Sequence, residues 1–215
     1  MIWDDFHDTI MLDKKDKRTI KEKYRDRKEK ADEKAMDNMM DNVFKKEIKR
    51  FEWSQLGNIS LGRGNLGEEM PVMVYRLMLY TLLDILRVRY GSEDANDIFR
   101  DAGRLAGTEF AKNVLNMKLN FIDFVSHLQD SLKELKIGIL RMELFDQISG
   151  EIVFTVAEDL DCSGLPVTGE NVCVYDEGFI AGILEVYTGK KYKVKEIDCW
   201  ASGNRICRFQ GFPNP

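Results

Sequence analysis

At Ile137 the spacing of apolar residues changes period, and that change divides the chain. Before it, apolar positions recur at helical spacing. After it they alternate, as they do along half-buried strands. Pro71–Tyr90 reads as a long helix, with Pro71 near the first turn where a missing N–H costs little. Val72, Val74, Tyr75, Met78, Leu79, Leu82, Leu83, Leu86 and Val88 make it apolar around much of its circumference, which predicts a largely buried helix. Gly91 ends it. Ser92 caps the next, with Glu93 and Asp94 placed for the helix dipole. That second helix carries Ala102, Gly103, Ala106 and Gly107, small enough to let another backbone or a ligand come close. A third, Phe121–Leu135, turns Phe121, Phe124, Val125, Leu128 and Leu132 inward.

Past the change, Ile137–Phe145 and Glu151–Glu158 read as strands joined through Gln147–Gly150. Leu160–Pro166 is a loop. A helix is expected over Gly169–Gly182, followed by Leu184–Thr188 and a turn at Gly189–Lys191. The chain closes on a second hairpin, Tyr192–Cys199 and Arg205–Phe209, around Ala201–Asn204. Helices followed by antiparallel hairpins predict an α+β domain, with the helices packed on one face of the sheet.

The body is expected over residues 57–215, and residues 1–56 form a charged helical arm. Residues 13–50 hold 15 Lys/Arg against 10 Asp/Glu, and the remainder 17 against 27, so a net charge of −5 hides a basic arm on an acidic body. An acidic body argues against broad nucleic-acid binding. In the arm, Met36, Met39, Met40, Val43, Phe44 and Ile48 fall on one stripe, suited to a homodimer contact or to docking within the chain. His7 has no site context there. Gly57–Gly67, with Arg63 inside it, lacks the phosphate-loop pattern and reads as a linker. No apolar run reaches the roughly 18 residues of a membrane span, and the first residues lack a secretory layout. Four cysteines without tight spacing suit a reducing cytoplasm.

Three of those cysteines, Cys173, Cys199 and Cys207, lie in the last forty or so residues, and Glu196 precedes Cys199 by three positions. Thiolates and a carboxylate suit zinc or another thiophilic ion better than magnesium or calcium. Buried structural thiols and a disulfide are the alternatives, and the spacing alone does not choose among the three. On a regular strand Glu196 and Cys199 have opposite parity, so both reach one ion only if a bulge or chain break separates them. Cys162 is a spare thiol that could replace a ligand, line a pocket or be inert.

The run Cys173, Gly178, Gly182, Glu196, Cys199, Ala201, Gly203, Cys207 and Phe209 resembles the C-terminal half of the 4-vinyl reductase (4VR) domain family. Leu66-Gly67 and the Gly103/Gly107 pair also match its pattern. The resemblance covers about residues 60–210. It implies a fold related to haem-based nitric-oxide sensor domains and to TRAPP subunits, with an apolar pocket between helices and sheet. From the sensor domains of phenol- and xylene-responsive activators it implies a structural zinc on Cys173, Glu196, Cys199 and Cys207, with Glu196 a ligand and not a base. The expected function is therefore non-catalytic binding or sensing of an apolar or aromatic, hydrocarbon-like molecule. Helical facing suggests Tyr75, Met78, Phe110, Phe124, His127 and Trp200 for the pocket. Two other readings stand beside it. One is an accessory protein or reductase component acting on tetrapyrrole vinyl groups, though the sequence offers no flavin or nucleotide loop and no nucleophile–base pair. The other is a dimeric interaction module built on the arm. The activators' ATPase domain and an evident helix-turn-helix are missing from the sequence.

Overall fold

The computed structural model describes residues 50–214. The expected arm helices, the methionine stripe and His7 lie outside the described residues. The unit described is the one that begins at Glu52. After a short 3₁₀ turn at Trp53–Leu56 come helices α1 (Ile59–Gly62), α2 (Val72–Tyr90), α3 (Ser92–Val114) and α4 (Phe121–Glu134). Strands β1 (Ile139–Phe145) and β2 (Ile152–Ala157), helix α5 (Val174–Thr188), and strands β3 (Tyr192–Asp198) and β4 (Cys207–Pro213) complete it. The sheet is antiparallel in the order β1-β2-β4-β3. The α+β class expected from the change of period is the class observed. No helix among the described residues is long and apolar enough to cross a membrane.

The core lies between the sheet's inner face and helices α3, α4 and α5. Ile152, Phe154 and Val156 of β2 point into it, as do Tyr192 and Val194 of β3 and Phe209 of β4. They meet Leu128 and Leu132 of α4 and Ile180, Ile183 and Leu184 of α5. The opposite face of the sheet carries charge: Arg208 of β4 pairs with Glu143 of β1 and Asp198 of β3.

Glycine sets how closely α3 and α5 cross. A Cβ on Gly103 or Gly107 would run into the carbonyls of Tyr175 and Phe179, and a Cβ on Gly178 or Gly182 into those of Arg100 and Arg104. Two Gly-x-x-x-Gly faces meet, so the close approach made possible by Gly103 and Gly107 is taken up by a backbone and not by a ligand.

Three expectations are corrected. Helix α5 begins at Val174, not Gly169, because the N–H groups of Thr168 and Gly169 are drawn off to the Ala201 carbonyl. It then runs unbroken through Leu184–Thr188 to Gly189, whose left-handed φ of 70° ends it. Strand β4 starts two residues later than expected, since Arg205 still has a turn conformation (φ 57°), and it extends to Pro213. The third concerns α2. It is not largely buried; of its residues only Leu83 is. Tyr75, Arg76, Leu79, Tyr80, Leu83 and Leu86 face the body, while Met73, Leu77 and Val88 are 74%, 66% and 77% exposed. Hydrophobicity all round a helix marks what it can bury, not what the folded chain supplies to cover it.

Candidate metal centre

Four elements each bring one thiol to a single point. Cys162 lies in the loop after β2, Cys173 caps the N-terminus of α5, Cys199 follows the last residue of β3, and Cys207 opens β4. All four side chains are fully buried and none is disulfide-bonded. Their sulfurs lie within 4.8 Å of one another. Cys173 Sγ is 3.9 Å from Cys199 Sγ and 3.8 Å from Cys207 Sγ, and Cys162 Sγ is 3.0 Å from Cys207 Sγ. Four sulfurs at about 2.3 Å around a tetrahedral ion sit about 3.8 Å apart, so two of these separations match the edge of such a site and one is shorter.

Glu196 reaches the same region because β3 is irregular. It pairs with Phe209 and Asp198 pairs with Arg208, so Ile197 has no partner and forms a bulge. The bulge removes the parity conflict: Glu196 and Cys199 are both buried, and Ile197 between them is 45% exposed. Glu196 Oε2 accepts the Cys173 N–H at 3.0 Å, its own N–H donates to Glu177 Oε1 at 3.0 Å, and its carbonyl accepts from Asn171 Nδ2 at 2.9 Å. Glu196 Oε1 is buried without a partner. Burial, reinforced by the charge of Cys199, pushes this carboxyl up to about 8.

The loop carrying Cys162 is held from two sides. Asp159 Oδ1 accepts the N–H groups of Asp161 (2.9 Å) and Cys162 (3.1 Å). From α2, the Arg76 guanidinium donates to the carbonyls of Leu160 (2.7 Å), Asp159 (3.3 Å) and Ser163 (2.9 Å). Tyr80 donates to the Asp161 carbonyl at 3.0 Å and Tyr75 to its carboxylate at 2.7 Å. Burial, then the charge of Asp159, raises Asp161 to about 7. Asp159 and Asp176 are likewise pushed up, mainly by burial, and Asp176 Oδ2 has no partner. Hydrogen bonds among the four thiols pull Cys199 down while holding Cys173 up. Protein groups alone therefore keep at most a fraction of this acidic cluster ionised, and a dication would reverse that balance.

A model of the 4-vinyl reductase domain, also written vinyl-4-reductase, matches residues 152–212, the span that carries β2, α5, the final hairpin and all four cysteines. A curated protein of Methanocaldococcus jannaschii, MJ1642, itself uncharacterised, is 36% identical over 145 residues, 67% of this chain and 79% of that protein. The chain belongs to the 4-vinyl reductase (4VR) domain family.

Among solved structures, this 4VR chain is similar to the phenol-responsive sensory domain of the transcription activator PoxR, crystallised with phenol. The TM-score is 0.52 and the identity 19%, over 69% of this chain and 79% of that one. It is also similar to a trafficking protein particle complex subunit 3 from Naegleria fowleri, covalently bound to palmitic acid. There the TM-score is 0.51 and the identity 13%, over 67% of this chain and 93% of that one. At these identities the likeness is one of fold.

Within the 4VR body, the metal-ligand candidates Cys173, Cys199 and Cys207 converge, with Glu196 beside them. Cys162 joins the thiols, and the sequence signal for it was plain in number only: four cysteines for a four-coordinate ion. Asp159, Arg76 and Tyr80, which hold its loop, gave no signal. The pocket candidates do not gather in one place. Tyr75 and Met78 share a surface groove between α2 and α3. Phe110 packs on Phe179, and Phe124 stacks on Tyr187 with ring centroids 3.9 Å apart, both inside the core. His127 is half-buried on α4, and the Trp200 indole donates to the Leu165 carbonyl at 3.0 Å. Between helices and sheet, where a pocket was expected, side chains fill the space down to a cavity of about 10 Å³ beside Leu128, Phe154 and Phe179.

Proposed function

We propose that this 4VR chain is a non-catalytic binding and sensing domain for an apolar or aromatic, hydrocarbon-like small molecule, stiffened by a structural zinc ion. The observation that carries the binding reading is the groove between α2 and α3. It has a volume of about 220 Å³, and its walls include Tyr75, Met78, Leu82, Leu86, Phe99 and Tyr175. An apolar cavity of about 150 Å³ suffices for benzene, so the groove is of a size for one aromatic ring. The similar PoxR domain responds to phenol, and the similar trafficking subunit holds a fatty acyl chain.

The zinc reading rests on the donor set. Thiolates select zinc and other thiophilic ions, the sulfur spacing fits a tetrahedron, and the cluster is fully buried. Cys173, Cys199 and Cys207 would hold the ion, with the fourth position at Glu196 or Cys162. Bound there, the ion would crosslink the hairpin to the start of α5, with no position open to substrate. The outer face of α2, with Met73, Leu77 and Val88, fits contact with a second copy of the chain. Four unpaired buried thiols fit a reducing cytoplasm.

Calorimetric titration of the full chain with phenol and toluene tests the reading. Wild type is expected to bind and Met78→Glu, at a residue 61% exposed and so tolerant of charge, is expected not to. Absence of heat and of any melting shift with both probes would end the ligand reading, whatever the metal content.

A further inference from the structure

We propose that Cys162, and not Glu196, supplies the fourth ligand, so that the ion sits among four thiolates and braces the loop that α2 grips. This rests on the metal reading above and specifies its donor set. Three observations carry it. The four sulfurs form one group in which every separation is within 4.8 Å, and no group of that closeness among the described residues includes Glu196. The Cys162 sulfur is already on the ion's side of the cluster, 3.0 Å from Cys207 Sγ, and moving these two apart toward the tetrahedral edge of about 3.8 Å needs only a small shift. Glu196, in turn, has other work: Oε2 accepts the Cys173 N–H, which makes it a positioning residue behind one ligand.

The backbone supports this assignment. The Cys162 N–H is fixed by Asp159 Oδ1, and the carbonyls on either side of the cysteine are held by Arg76. A loop pinned this way presents its sulfur to the ion with little freedom left to lose. The consequence reaches the groove. Tyr75, Arg76 and Tyr80 of α2 bond to the loop Asp159–Ser163, and Tyr75 also lines the groove. With Cys162 as a ligand, the ion anchors the loop on one side while α2 holds it on the other.

The test is the zinc absorption-edge fine structure of the full-length protein loaded with zinc alone, together with competition against a chelator. Wild type should show four sulfurs at about 2.3 Å. Glu196→Gln should keep four sulfurs and lose about 10- to 100-fold in affinity, as expected for a group acting through a ligand. Cys162→Ser should show three sulfurs and one lighter atom at about 2.0–2.2 Å. Three sulfurs and one oxygen in wild type, unchanged in Cys162→Ser, would place Glu196 on the ion and overturn the proposal while leaving the metal reading intact. Failure of wild type to take up zinc would remove both. The wild-type shell decides the question even if Cys162→Ser does not fold.

Discussion

Replacing Gly178 by alanine adds one methyl group at the tightest point of the α3–α5 crossing. Its Cβ would lie more than an ångström inside the 3.4 Å at which ordinary contact begins, against the backbone carbonyl of Arg100. Backbone cannot rotate aside as a side chain can, so α5 must lift off α3 by about 1 Å. A gap of that size forfeits about a quarter to a half of each dispersion contact, each worth about 0.1–0.2 kcal/mol. If about 50 atom pairs are affected, the number one buried leucine makes, the loss is about 2–3 kcal/mol. Alanine's better helix propensity returns about 1 kcal/mol. The net destabilisation is therefore about 1–2 kcal/mol, or roughly 3–6 °C in melting temperature for a domain of this size. Thermal unfolding followed by circular dichroism measures it. Gly62→Ala, with nothing within 4 Å of the new methyl, is the control and should show no loss. Because α5 starts at Cys173, the same shift should weaken zinc binding. A Gly178→Ala protein as stable as wild type would refute the claim that backbone contact sets this crossing.

Other perturbations have equally definite outcomes. Arg76→Met should cost about 2–3 kcal/mol, since it strands carbonyls of the Cys162 loop, and amide exchange should quicken at Asp161–Ser163 while β2 stays protected. Glu177→Gln should cost about 1–3 kcal/mol in urea denaturation: Glu177 is 1% exposed and pairs with Arg100 (2.9 Å) and Lys195 (2.8 Å), though both partners are partly in water. Removing metal with a chelator should lower the melting temperature, and zinc restored at one per chain should recover it, because metal binding to a site absent from the unfolded chain adds to folding free energy. Leu77→Glu, 66% exposed in the chain, should leave the fold unchanged by circular dichroism and reduce the mass seen by sedimentation if α2 joins two copies.

Much of the architecture was legible locally. The change of period at Ile137, Gly91 and Ser92 at the α2–α3 junction, and the turns at Gly150 and Gly189 are signals carried within a few residues. The errors fell where neighbours distant in sequence decide. Leu184–Thr188 is β-like by composition but continues a helix because α3 and the sheet bury it from both sides. Helix α2 looks like a core helix, yet no described element covers its outer face. At the site, Glu196 and Cys199 could share a face only through a bulge, and pairing with β4 supplies it at Ile197.

What the sequence by itself determined was an inventory: which segments are helical or extended, that four thiols and several carboxyls stand near the chain's end, and that glycines at 103, 107, 178 and 182 permit close approach. What only the tertiary structure decided was convergence. Cys162 and Cys207 are 45 positions apart and touch because β2 and β4 are neighbours in the sheet. The glycine pairs meet each other because α5 crosses α3, and that crossing closes the space in which an interior pocket was expected. Helices and turns follow from bonds between near neighbours along the chain. A ligand set or a cavity is fixed by how distant segments pack, which local periodicity does not encode.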